Sequence, residues 1–220
     1  MEFSNTKGFI QLDFLLQNKT AEQLYFQYAE AMPVIDYHNH LSPEIIAKNQ
    51  AFRDINAVWL DGDHYKWRAM RTLGIEEKFI TGNASNKEKF DQWAKTVPYT
   101  VGNPLFHWTH LELKRYFNIS ELLQPSSSDA IFEETNHQLK TLLPNQMLKN
   151  MKVEILCTTD DPIDDLKHHQ QIKKNNFGPK VLPGFRPDKI FGINTEDYLD
   201  YLNALADSSG VNINSLQTLL

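Results

Sequence analysis

The sequence predicts an α/β chain of parallel βαβ units, with a large helical region inserted between its first and second strands. Three observations lead there. Short apolar runs near 33–38, 152–157 and 180–185 alternate with helical periodicity, the pattern of strands joined by helical crossovers. The stretch from 39 to 151 is far longer than a simple crossover, and nearly every signal in it is helical. Three parallel strands do not close a barrel, which takes eight, and the chain stops at Asn214-Ser-Leu-Gln-Thr-Leu-Leu220, a helix start with no stop signal. The expectation is an unfinished barrel, divided as an N-terminal helix and first strand (1–41), an inserted helical region (42–150), and a second and third βα unit (151–220).

The elements follow in order. Thr20-Ala-Glu-Gln23 has the form of a capping box, and Leu24, Tyr25, Tyr28, Ala29 and Met32 follow at helical spacing. After the first strand, Ser42-Pro43-Glu44 is a helix start with serine as cap and proline in the first turn. Ser85-Asn-Lys-Glu88 is a second capping box, leading into Phe90, Trp93, Ala94 and Val97 until Pro98 ends it. Asn103-Pro104 opens a helix with Phe106, His110, Leu113 and Phe117 on one face, and 129–143 forms one more. Beyond the second strand, Asp161 is expected to cap a helix through Ile163, Leu166 and Ile172. The last expected helix, 195–207, carries Tyr198, Leu199, Leu202 and Leu205 as its apolar stripe.

Composition excludes several classes. With 41% hydrophobic and 23% charged residues the chain is globular rather than disordered. No apolar run approaches the roughly 18–20 residues of a spanning helix, and the N-terminal stretch lacks the pattern of a signal peptide. A net charge of −6 with no basic block argues against nucleic acid. Cys157 is the only cysteine, so no intrachain disulfide can form and a cytoplasmic setting is expected.

The chemistry concentrates at the strand ends. In Asp36-Tyr-His-Asn-His40 the two imidazoles lie two residues apart, so in a strand they share a face while Asn39 points away. At roughly 3.3 Å rise per residue their Cα atoms stand about 6.6 Å apart, a spacing from which two ring nitrogens can meet on one metal ion. The alternative is a pair of histidines hydrogen-bonded to backbone. A catalytic zinc usually has three protein ligands; Asp160, Asp161, Asp188 and His110 are the candidates for a third, unless it lies beyond residue 220. In Asp63-His-Tyr-Lys-Trp-Arg-Ala-Met-Arg71, Asp63 can cap a helix whose start offers His64, Tyr65 and Lys66, with Arg68 and Arg71 beyond. Such a start suits an anionic, hydroxyl-rich ligand, although an ordinary amphipathic helix with Trp67 and Met70 inward has the same pattern. Arg186, at the end of the third strand, has the rigid fork that binds carboxylates bidentately, although a surface or interdomain salt bridge has the same pattern. His110 is expected to pack, His168 and His169 to face solvent from mid-helix, and Cys157 to be an inert strand residue.

Five stretches, DYHNHLSP (36–43), GDHYKWRAMR (62–71), TVGNPLFHWTHLELKRYF (100–117), TTDDPIDDLKHH (158–169) and VLPGFRPDK (181–189), resemble the uronate isomerases, also called glucuronate isomerases, collinearly from about residue 10 to 205. The resemblance implies the N-terminal part, about three strands, of a distorted (β/α)8 TIM-type barrel of the amidohydrolase superfamily, in a family of about twice this length. It implies an aldose–ketose isomerase that interconverts D-glucuronate with D-fructuronate and D-galacturonate with D-tagaturonate. On the motif, the metal ligands fall on His38 and His40, for a divalent ion such as Zn²⁺. The substrate-contacting pair falls on His64 and Tyr65, and Arg186 matches an arginine that binds the sugar acid. Tyr65 would carry the proton between the substrate oxygens. The family's aspartate on the last barrel strand, which would be the carbon base, and an arginine close after it have no counterpart here. The expected partners are a small uronate and further copies of the chain in a homo-oligomer. The competing readings are a metal-dependent hydrolase of the same superfamily and a non-catalytic structural fragment.

Overall fold

The computed structural model describes residues 8–176 and 178–219. The first seven residues, part of the stretch read for a targeting signal, and Leu220, the end of the last expected helix start, lie outside them. The described residues form two compact units, one within 8–32 and 50–143 and the other within 33–49 and 144–219. Among the described residues no helix is long and apolar enough to cross a membrane.

The first unit is helical. Its principal helices are Ile55–Trp59, His64–Thr72, Asn86–Thr96, Pro104–Phe117 and Ser128–Leu139. The expected start signals act as such. Ser85 and Glu88 close a reciprocal capping box, and the Asn103 side chain accepts the Leu105 N–H ahead of Pro104. Fully buried Trp93, Phe90, Met70, Leu113, Ile131 and Leu139 form the interior, with the Trp59 and Phe90 rings stacked at 6.2 Å. Near the N-terminus the cap is Asn18, whose side chain accepts the Ala21 N–H at 2.9 Å, so helix Lys19–Leu24 begins one residue before the expected box at Thr20.

The second unit is a parallel sheet with helices on one face. Strands β1 (Val34–Asp36), β2 (Val153–Cys157) and β3 (Lys180–Leu182) lie in the order β1-β2-β3. Ile35 pairs with Ile155 and Asp36 with Leu156, while Cys157 pairs with Leu182. Helices Pro43–Lys48, Pro144–Asn150 and Lys167–Asn175 contribute Ile46, Ala47, Leu148 and Ile172 to a core around Leu156. Helices Pro43–Lys48 and Pro144–Asn150, expected within the inserted region, therefore belong with the strands, because their apolar residues have the sheet to pack on.

A second helix start also differs from expectation. Asp161 accepts the Ile163 N–H in a turn, Asp164 in turn accepts the Asp161 N–H, and the helix begins only at Lys167 after Leu166 in a left-handed conformation (φ 53°). His168 and His169 thus sit in a first turn rather than mid-helix, and His169 is buried against the sheet rather than in solvent.

Candidate active site

The ends of the three strands build the site in the sheet unit. β1 stops at Asp36, but the Asn39 N–H donates to the Cys157 carbonyl at 2.8 Å, so the pairing with β2 resumes for one residue. The Asn39 side chain closes the turn from the other side, donating to Asp36 at 2.6 Å and accepting the Leu41 N–H at 2.6 Å. With Asn39 fixed, its two neighbours turn to the opposite side. The Nε2 atoms of His38 and His40 stand 3.2 Å apart, their rings are nearly perpendicular at 85°, and both residues are exposed.

Beyond β2 the chain continues its parallel pairing with the segment after β3. Thr158 N–H donates to Leu182 O, Asp160 N–H to Gly184 O, and Arg186 N–H to Asp160 O at 2.9 Å. Thr158 and Asp160 point into the unit, where the Thr158 hydroxyl donates to Asp160 Oδ2 at 2.6 Å and lies 2.8 Å from His169 Nε2. Asp160 Oδ2 also accepts the Gly184 N–H at 3.1 Å, so this buried carboxylate is satisfied locally. Thr159, between them, turns to the histidines, with its Oγ1 3.3 Å from His40 Nδ1. Arg186 approaches the same nitrogen with Nη1 at 3.4 Å, while its Nε donates to Asp188 at 2.7 Å.

His64 and Tyr65 lie in the helical unit, at the start of His64–Thr72. Asp63 caps that helix, accepting the Tyr65 and Lys66 N–H groups at 3.0 and 3.1 Å. Both side chains of the pair are exposed, with ring centroids 4.5 Å apart. Two of the cations expected around this helix start are already committed. Lys66 is buried, its ammonium 2.6 Å from Asp63, and Arg71 holds Glu77 through two hydrogen bonds of 2.9 and 2.6 Å. The expected cation cluster thus keeps only Arg68 unburied and outside these pairs, because Lys66 lies on the inward side of the first turn with Met70. Burial works to raise the Asp63 carboxyl, but Lys66 and the two backbone N–H groups outweigh it and hold it below its ordinary value. Burial pushes the Glu112 carboxyl of the same unit up, against the opposing charge of Lys66.

The histidine pair fits a metal ion. Two nitrogens each about 2.0–2.1 Å from one tetrahedral Zn²⁺ stand roughly 3.3 Å apart, close to the 3.2 Å found here. The third ligand is another matter. Among the described residues no group of three His, Cys, Asp or Glu side chains is assembled to hold a metal. The four candidates are engaged elsewhere. Asp160 serves Thr158 and Gly184, and Asp188 pairs with Arg186. Asp161 accepts from Tyr201 at 3.1 Å and lies 3.3 Å from the Lys189 ammonium. His110 is buried as expected, with Nδ1 2.7 Å from Phe106 O and Nε2 accepting the Leu123 N–H at 3.0 Å. Thr159 escaped the sequence reading, and His169 is buried where the sequence predicts a solvent-facing ring. The alternation Thr158-Thr159-Asp160 after a strand was the available signal, since every second residue there faces the same side.

Comparison with known proteins gives a consistent result. A family model described as glucuronate isomerase matches residues 6–220. The uronate isomerase of Flavobacterium johnsoniae is 52% identical over 213 residues, covering 96% of this chain and 46% of that protein. The uronate isomerase of Shouchella clausii is 51% identical over 222 residues, covering 99% and 47%. The crystal structure of uronate isomerase from Thermotoga maritima superposes with a TM-score of 0.89 at 39% identity, over 96% of this chain and 46% of that one. The chain spans about half the length of the relatives it matches.

Proposed function

The chain belongs to the glucuronate isomerase family, and from that premise we propose that it carries the metal-binding and acid-binding part of an enzyme interconverting D-glucuronate with D-fructuronate and D-galacturonate with D-tagaturonate. In this reading the three-stranded sheet is the first part of a distorted (β/α)8 barrel, acting in the cytoplasm as a homo-oligomer. The observation that carries the reading is the 3.2 Å pair of His38 and His40 nitrogens with Arg186 on the same strand-end surface.

Moving a carbonyl from C1 to C2 removes the C2 proton and returns a proton to C1, while a second proton passes between O1 and O2. Arg186, exposed after β3, binds the sugar carboxylate through its planar fork. His38 and His40 would hold a divalent ion such as Zn²⁺, which when bound supplies positive charge for the oxygens at the acid end. By the family resemblance, the Tyr65 hydroxyl would carry the proton between O1 and O2, since a phenol donates and accepts at one atom. His64, whose ring lies against Tyr65, orients the sugar hydroxyls. The group that takes the C2 proton is, by the family resemblance, an aspartate outside these 220 residues.

Calorimetric titration of the chain with each uronate in the presence of Zn²⁺ tests the reading. Both sugars should bind, and Arg186→Ala should abolish binding. Binding of neither sugar, or undiminished binding by Arg186→Ala, overturns it.

A further inference from the structure

His40 has one nitrogen beside His38 and the other, Nδ1, between two groups that make incompatible demands on it. Arg186 Nη1 stands 3.4 Å away and Thr159 Oγ1 3.3 Å away. A guanidinium can only donate, so it suits Nδ1 when that atom carries a lone pair; a hydroxyl can donate or accept, so it suits either state. A neutral imidazole has one ring proton. If Nε2 is to give its lone pair to a metal ion, the proton must sit on Nδ1 and needs an acceptor there. Of the two groups, only Thr159 can be that acceptor.

The backbone makes this placement firm. Thr158 and Asp160, on either side of Thr159, are buried and tied to His169 Nε2 and the Gly184 N–H through their side chains. A Cβ on Gly184 would stand 2.3 Å from the Thr158 carbonyl oxygen, so this close approach of the two strand ends requires glycine. With both neighbours turned inward, the Thr159 hydroxyl is held outward, facing His40.

We propose that Thr159 is a positioning residue that accepts the Nδ1–H of His40, aims the Nε2 lone pair at the metal position, and in doing so displaces the Arg186 guanidinium from His40, leaving it free for a carboxylate. The proposal rests on reading His38 and His40 as metal ligands, and its test separates the two.

The measurement is Zn²⁺ affinity of the 220-residue chain by competition with a chromophoric chelator. It is run for the natural chain and for Thr159→Val, Thr159→Ser and His40→Ala, each first matched by its metal-free thermal melt. Long-range ¹H–¹⁵N spectra of the histidine rings then report which nitrogen carries the proton. Thr159→Val, which keeps the shape and removes the acceptor, should weaken zinc binding by roughly 10-fold or more. Thr159→Ser should restore it, and the natural chain should show His40 protonated on Nδ1 in the zinc-bound state. Zinc binding that is weakened by His40→Ala but unchanged in Thr159→Val overturns the role of Thr159 alone. A natural chain that binds no zinc overturns the ligand pair and the proposal with it. If Thr159→Val loses its metal-free fold, the Thr159→Ser affinity and the tautomer spectrum decide, and a His40 protonated on Nε2 with zinc present counts against the proposal.

Discussion

Gly184 and Thr158 approach so closely that a methyl group on the glycine would overlap the threonine carbonyl, at 2.3 Å from its oxygen. Gly184→Ala must push the ends of β2 and β3 apart, disturbing the Asp160–Gly184 bonds that splice them. Overpacking of this kind costs about 1–3 kcal/mol. Urea unfolding should show the loss, and zinc binding should weaken because Thr159 shifts. A variant as stable as the natural chain would mean that the strand ends yield easily.

Asp63 and Lys66 separate two contributions to the helix that presents His64 and Tyr65. Asp63→Asn keeps a capping oxygen but leaves the Lys66 ammonium, 8% exposed, without its carboxylate. Removing one charge of a buried pair costs about 3–5 kcal/mol; with Asp63 29% exposed the lower end is expected. Lys66→Met should cost less, since Asp63 retains two backbone donors. Equal losses on urea unfolding would contradict the pairing.

His110 gives the helical unit a pH dependence of known sign. Burial, chiefly, lowers its proton affinity below the ordinary 6.5, so the unfolded chain takes up the proton first. Its stabilising contribution is full above about pH 6.5 and is lost as the pH falls below it. His110→Leu leaves the Leu123 N–H unpaired, at roughly 1–3 kcal/mol. The gap between the two chains should therefore be wide at pH 8 and narrow at pH 5, as thermal melts at both values would show.

Tyr65→Phe removes the proposed proton carrier while keeping the ring against His64. In a full-length enzyme of the family, uronate turnover, followed by appearance of the ketose, should fall about 100-fold or more with uronate binding retained. Unchanged turnover would assign the oxygen-to-oxygen proton to another group.

The pattern His38-Asn39-His40, the Ser42, Ser85, Asn103 and Asp63 caps, and the three parallel strands were legible because each rests on neighbours two to four residues apart. Strand alternation and capping are local physics, so a single sequence displays them. What the tertiary structure decided is which side chains are buried and which distant groups meet. Lys66 was read as one of several available cations, yet the inward side of its helix buries it against Asp63. His169 was read as solvated, yet the turn through Asp161 and Asp164 delays the helix start and delivers the ring to Thr158. Thr159 and Arg186 reach His40 across 119 and 146 residues of sequence. Such contacts exist only once β1, β2 and β3 have paired, and no local pattern encodes which side chains that pairing brings to a shared nitrogen.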